Sequence, residues 1–297
     1  MLRDKILRKI YITTLIIFVL FIISSFTINK SISNIKTEYQ TKLTSIYLLD
    51  GDNYLLKVNI SAKDNINDNI PFVFNSLKEN NRHYSGLKGM IPSNAKINNY
   101  SIINGILNID FNDNLLKIND DVKEKIIESL VFSYISFDEI EGLKITINNK
   151  PLREIMNTKE EILTKDIGIN KEYDITRTSD IKRVVLYYYE EKDNNKYYVP
   201  ITKYLNSTDD KIKIIIDNLK TNYLIKTNLM SYLNDKVNIT KYEKINDIVT
   251  ISFASVLDFD SEPISEEVIY TLSNSIIESN EATKVIFMQN DRIIYIK

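Results

Sequence analysis

Few residues in this chain have the types and spacing that do chemistry. The one histidine, His83, sits in Asn80-Asn81-Arg82-His83-Tyr84-Ser85-Gly86, and there is no cysteine. Nucleophilic catalysis needs a base, an orienting carboxylate and a nucleophile within reach of one another. No Gly-x-Ser-x-Gly elbow, His-Glu-x-x-His helix or phosphate-cradling glycine loop is present. His83 reads as a loop residue, and Ile225 stands 142 positions on. The pairs Asp120-Asp121, Asp138-Glu139 and Glu266-Glu267 have the composition of a glycoside-hydrolase acid and base. The first and last, however, fall where helices open, and there negative charge meets the helix dipole. Asp50, Asp52 and Asn53 match the start of a calcium loop, but the later ligands and the distal glutamate are missing from the segment. Tyr187-Tyr188-Tyr189 and Tyr197-Tyr198 put rings on both faces of a strand. Sugar stacking or a protein interface would use them; ordinary strand preference for tyrosine is the simpler reading. No catalytic, cofactor-binding or metal-binding residue is assigned, no cofactor is expected, and the binding residues are left open.

The elements that would position such groups are written twice. Leu107, Ile109 and Phe111 alternate with Asn108 and Asp110, the pattern of a half-buried strand. Val249, Ile251 and Phe253 repeat it 142 positions on. At the same offset the stripe Val122, Ile126, Ile127, Leu130 returns as Ile264, Val268, Ile269, Leu272, and Leu143 and Ile145 return as Val285 and Phe287. Asn149-Lys150 returns as Asp291-Arg292, Tyr100 as Tyr242 and Leu77 as Leu219. This is a duplicated domain.

Within each copy the reading is strand, helix, strand, strand, helix, strand. An extra opening strand comes from Ser45–Leu49 and Tyr54–Ile60, which flank a turn at Asp50–Asn53. A first helix is expected from an Asn69 cap with Pro71 in its first turn, and a second from an Asn119 cap. Asn104-Gly105 marks a hairpin. The expected fold class is α+β: two tandem β-α-β-β-α-β open-faced sandwiches, each with two helices on one face of a small sheet, preceded by one transmembrane helix. The 297 residues divide as 1–30 cytoplasmic stub and anchor, 31–43 stalk, 44–155 first domain, 156–181 ordered linker and 182–297 second domain.

Ile10 to Ile28 is apolar and long enough to cross a hydrocarbon core of about 30 Å. Arg3, Lys5, Arg8 and Lys9 precede it, which places the N-terminus in the cytoplasm and the bulk of the chain outside. The stretch ends in Ser24-Ser25-Phe26-Thr27-Ile28-Asn29 without an A-x-A-like site, so an uncleaved single-pass anchor is expected rather than a signal peptide. A net charge of −2, with 38 basic and 40 acidic residues intermixed, leaves no footprint for nucleic acid.

The repeat unit resembles the GerM domain of sporulation and spore-germination proteins. The resemblance is carried by Leu87 to Ile97 with Pro92, by Asn104-Gly105 and the strand to Phe111, by the helix Val122 to Tyr134, and by Glu141 to Pro151. The second copy keeps the skeleton but has Asn234 and Asp247 in place of Pro92 and Gly105. The resemblance implies a non-enzymatic protein on the outer membrane face, similar to ring-building modules and associated with peptidoglycan or with envelope assembly in sporulation and germination. The family's tandem lipoprotein uses a lipidated cysteine; this chain has none and offers Ile10–Ile28 instead. Expected partners are the membrane, peptidoglycan, other envelope proteins or a second copy. An alternative class is a ligand-binding or sensory ectodomain using the cleft between the copies. A wall hydrolase would need two facing carboxylates about 5–9.5 Å apart.

Overall fold

The computed structural model describes residues 42–81, 86–156, 160–220, 228–233, 237–254 and 264–297. Leu43–Lys297 forms one compact unit that contains both copies. Among the described residues no helix is long and apolar enough to cross a membrane, and the expected anchor Ile10–Ile28 lies outside them.

The first copy runs β1 (Leu43–Leu49), β2 (Leu55–Ser61), α1 (Ile66–Ser76), β3 (Ile97–Ile103), β4 (Ile106–Phe111), α2 (Asp120–Tyr134), β5 (Gly142–Ile147), β6 (Lys150–Pro151) and α3 (Leu152–Met156). A short strand, β7 (Glu172–Asp174), follows. The second copy runs β8 (Ile181–Lys192), β9 (Asn195–Asn206), α4 (Lys211–Lys220), β10 (Ile239–Ile245), β11 (Ile248–Phe253), α5 (Glu266–Glu278), β12 (Lys284–Gln289) and β13 (Arg292–Ile296).

Each copy closes with a four-stranded sheet, β3-β4-β5-β6 or β10-β11-β12-β13. The middle pairs are parallel because α2 and α5 serve as crossovers. Leu107 pairs with Leu143 and Ile109 with Ile145; Val249 pairs with Val285 and Ile251 with Phe287. All eight side chains are buried. The sequence repeat is thus a repeat of register.

The opening hairpins leave those sheets and build another. Its strand order is β1-β2-β9, with β8 and β7 also paired to β9, so one central sheet runs through both copies. Lys57 of β2 pairs with Tyr198 of β9 across the junction. This corrects the expected open-faced sandwich: α2 and α5 lie between two sheets rather than on one. The physical reason is visible in β1, where every residue from Thr44 to Leu49 is buried with no polar face left for water. Serines on the two helices and just past their ends meet that strand and its counterpart β8. Ser133 Oγ accepts from Tyr47 N at 3.1 Å, Ser129 Oγ donates to Tyr47 O at 2.7 Å, and Ser136 Oγ accepts from Ser45 N at 3.3 Å. In the second copy Ser275 Oγ accepts from Tyr187 N at 2.9 Å and Ser279 Oγ from Val185 N at 2.8 Å. Leu49 exchanges backbone bonds with Lys88, and Tyr189 with Met230. The outer sides of β1 and β8 are therefore covered.

Residues 160–174 tie the copies together. Leu163 pairs with Leu143, and Ile169 is buried. Asn170 Nδ2 donates to Leu55 O and to Pro200 O, both at 2.9 Å, while its Oδ1 accepts from Leu55 N at 2.8 Å and from Lys125 Nζ at 2.9 Å.

One helix start differs from the expected ones, and one expected cap makes no bond. α1 begins at Ile66 with Asn65 as its cap, whose side chain accepts from Asn67 N, so Pro71 falls inside the helix. Pro71 has no N–H for the carbonyl of Asn67, and Tyr100 Oη donates to it instead at 3.0 Å. Asn119 occupies the cap position of α2 without a side-chain bond to the helix. Left-handed backbone at non-glycine positions is confined to asparagine and aspartate among the described residues. Asn148-Asn149 and Asn290-Asp291 make the duplicated turn, one residue earlier than the sequence marks it.

Candidate functional site

Two groups of side chains at the junction of the copies are built from residues far apart in the chain. The first is aromatic. Tyr198 on β9 stacks on Tyr270 of α5, with ring centroids 4.1 Å apart and planes 27° apart. Tyr187 of β8 meets the same ring edge-on at 6.1 Å. Lys57 from the first copy donates to Tyr270 Oη at 2.9 Å, and Lys297 Nζ stands 4.8 Å from the ring centroid. Burial, with a smaller contribution from Glu278, pushes the Tyr270 phenol up to about 12. Burial lowers the Lys57 ammonium, opposed by Glu278.

Above these rings opens a cleft of about 580 Å³ lined by Tyr198, Tyr270, Tyr295, Glu266, Glu267 and Lys297, with Ile269 and Ser273. All of these belong to the second copy. Lys57 reaches the cleft only through its bond to Tyr270. The mixture of ring faces, carboxylates and an ammonium suits a ligand with an apolar face and several hydrogen-bonding groups.

The second group is acidic. Asp50 ends β1, Asp52 lies in the β1–β2 turn, and Glu190 comes from β8; one carboxylate oxygen of each lies within 4.8 Å of the others. Asp50 Oδ1 accepts from Asp52 N at 2.9 Å and from Tyr54 N at 2.7 Å, which fixes the turn. Asn228 Nδ2 donates to Asp52 Oδ2 at 2.7 Å. Lys192 Nζ lies 2.9 Å from Glu190 Oε1 and 3.6 Å from Asp50 Oδ2. Burial raises the Glu190 carboxyl, and neighbouring Asp50 adds to this against the pull of Lys192.

The structure sorts the other candidates. Tyr187, Tyr188 and Tyr197 are buried in the core, whereas Tyr189 stacks on Tyr232 at 3.9 Å and Tyr198 forms the cleft. Three of these five tyrosines are packing and two make stacked ring pairs. Glu266 and Glu267 occupy the first turn of α5 and also line the cleft. Asp120 pairs with Lys123 at 2.6 Å in the first turn of α2, and Asp138 and Glu139 are exposed beyond its end. Asn149 N donates to Asp110 Oδ1 at 2.7 Å, so that turn is held from within the fold. His83 lies outside the described residues.

Sequence reasoning missed Lys57, Tyr270, Lys297 and Glu190. Glu190 was hidden because the repeat offset of 142 sets Lys192 against Asp50, whereas the opening strands correspond at 140, as the bonds of Tyr47 and Tyr187 to Ser133 and Ser275 show. The other three carry no motif.

The family model for sporulation and spore germination, Germane, matches residues 41–153. The spore germination protein GerM of Bacillus subtilis (strain 168) is 24% identical over 217 residues, which cover 68% of this chain and 58% of that protein. The match spans less than two thirds of that relative's length. The solved structure of the tandem GerMN domains of the sporulation protein GerM from Bacillus subtilis has a TM-score of 0.72 to this chain at 20% identity, covering 85% of this chain and 92% of that one. This likeness shows a shared mixed α+β fold. The copies found in the sequence and these matches agree: residues 41–153 match the GerM domain family, and the chain as a whole has the fold of tandem GerM domains.

Proposed function

We propose that this protein is a non-enzymatic, membrane-anchored scaffold on the outer face of the cell membrane, acting in sporulation or germination through contact with peptidoglycan or with neighbouring envelope proteins. The observation that carries this reading is the central sheet, which joins the two copies through β2 and β9 and fixes two four-stranded sheets in one unit. A scaffold needs such a fixed spacing between its surfaces, whereas a hinged receptor needs the copies to move. The relative's name, a spore germination protein, supports the biological setting. Ile10–Ile28 with its preceding basic residues supports the anchor.

The test has two arms. Fractionation of cells expressing the full chain, with protease added from outside, should leave the protein in membranes with residues beyond 30 accessible; a soluble, protected protein overturns the location. Incubation with purified sacculi across a salt series should show retention that survives high salt. Absence of retention removes peptidoglycan and leaves protein partners, which crosslinking in intact cells then identifies.

One observation favours a second reading, a ligand-binding ectodomain: the cleft over Tyr198 and Tyr270. It lies on the second copy rather than between the two. Soluble wall fragments that protect Tyr295 from chemical modification would support it.

A further inference from the structure

We propose that Asp50, Asp52 and Glu190 form a site for one hard divalent cation of the calcium class, shared between the two copies. The turn Asp50-Gly51-Asp52-Asn53 has the opening spacing of a calcium loop but no distal glutamate of its own. The fold brings one from the other copy, because Glu190 stands beside the turn with a carboxylate oxygen within 4.8 Å of those of Asp50 and Asp52. Three oxygens within 4.8 Å of one another share a centre no more than about 2.8 Å from each, close to the Ca–O distance of about 2.3–2.6 Å.

A separate observation points to an occupant. Asp50 and Glu190 are 3% and 2% exposed, and Asp50 Oδ2 and Glu190 Oε2 are both buried without a hydrogen-bond partner. Buried carboxylate oxygens are costly to leave unpaired. Lys192 brings one positive charge against three carboxylates; its bond goes to the other oxygen of Glu190, and it stands off Asp50 Oδ2 at 3.6 Å, an ion-pair distance too long for a hydrogen bond. Its side chain is about a quarter exposed, so the ammonium can swing into water as a cation enters. Asp52 and Gly51 are exposed, and no atom lies within 4 Å of a Cβ built on Gly51, which leaves the turn open to an approaching ion.

The donor set selects the metal. All three donors are carboxylates, with neither thiol nor imidazole, which favours a hard cation over zinc. An irregular set on a turn and a strand suits the flexible coordination of Ca²⁺ better than the octahedron of Mg²⁺.

The site stands independently of the envelope role. Its test is calorimetric titration of the full chain with CaCl₂ and, separately, with MgCl₂, alongside thermal unfolding in each salt. The expected result is one Ca²⁺ per chain with a Kd of about 10⁻⁴–10⁻³ M, as in extracellular modules, and a rise in Tm with calcium. Magnesium should bind at least about tenfold more weakly. Asp52→Ala, which removes an exposed side chain, should weaken calcium binding about tenfold or more, and Lys192→Met should tighten it by removing the competing charge. Absence of binding heat and of a Tm rise up to about 20 mM Ca²⁺, in both the wild type and Lys192→Met, overturns the proposal. Undiminished binding in Asp52→Ala overturns it as well.

Discussion

The side chain of Asn170 holds both backbone groups of Leu55, accepting from its N–H at 2.8 Å and donating to its C=O at 2.9 Å across 115 positions of sequence. The same amide donates to Pro200 O, so one residue from the segment between the copies fastens β2 to β9. Asn170 is also in left-handed backbone, with φ of 48°, which asparagine tolerates better than most residues. Asn170→Ala removes the partners of three buried backbone groups and should cost about 3–5 kcal/mol. Asn170→Asp should be no better, because its oxygens face two carbonyls. Urea unfolding measures both; a loss under about 1 kcal/mol for the alanine variant would show that the junction does not rest on this residue.

The serine bonds along the outer strands give a second prediction. Tyr47 N and Tyr187 N donate to Ser133 and Ser275 in the two copies. Ser133→Ala and Ser275→Ala each leave one buried N–H unpaired and should cost about 1–3 kcal/mol. Amide exchange should speed up at Tyr47 in the first variant and at Tyr187 in the second. Exchange unchanged at both positions would refute the assignment.

Pro71 and Tyr100 should be energetically coupled. Tyr100→Phe leaves the Asn67 carbonyl to water and should cost about 0.5–1 kcal/mol. With Pro71→Ala the helix supplies its own donor, and the tyrosine change should cost clearly less. A double-mutant cycle with no coupling would mean that the hydroxyl is incidental.

Asp110 should make the first copy sensitive to acid. Burial alone would raise its carboxyl, but bonds from Thr146 at 2.5 Å, Asn98 at 2.7 Å and Asn149 N together hold it below the usual carboxylate range. A depressed folded-state pKa gives stability that is present above the unfolded value of about 3.9 and is lost as pH falls through the folded value. Stability of the wild type should therefore drop below about pH 4, and that of Asp110→Asn should fall less steeply there while being lower by about 1–3 kcal/mol at pH 7. Equal slopes would remove Asp110 from the account. The second copy has Ser252 at this place and lacks the device.

The repeat, the α+β class and the outer sheets were legible because they depend on local periodicity: Leu107 and Ile109 announce a strand wherever the chain goes next. The central sheet was not legible. Its strands read as strands, but their destination depends on which surface of α2 is left to cover, a property of Ser129 and Ser133 that hydropathy scores as polar. The candidate sites were legible only in part. The Asp50 turn and Tyr198 stood out by type, but Glu190 and Tyr270 acquire their roles from pairing across the junction. The start of α1 was misplaced because Pro71 is usual in a first turn, and the compensating donor, Tyr100, lies on a different element.

A sheet that grows by adding hairpins needs an open rim. In this fold the inner strands of the two hairpins face each other, and the outer ones are closed by hydroxyls and loop carbonyls from their own copies. A third repeat appended to the chain would find neither β1 nor β8 open to it.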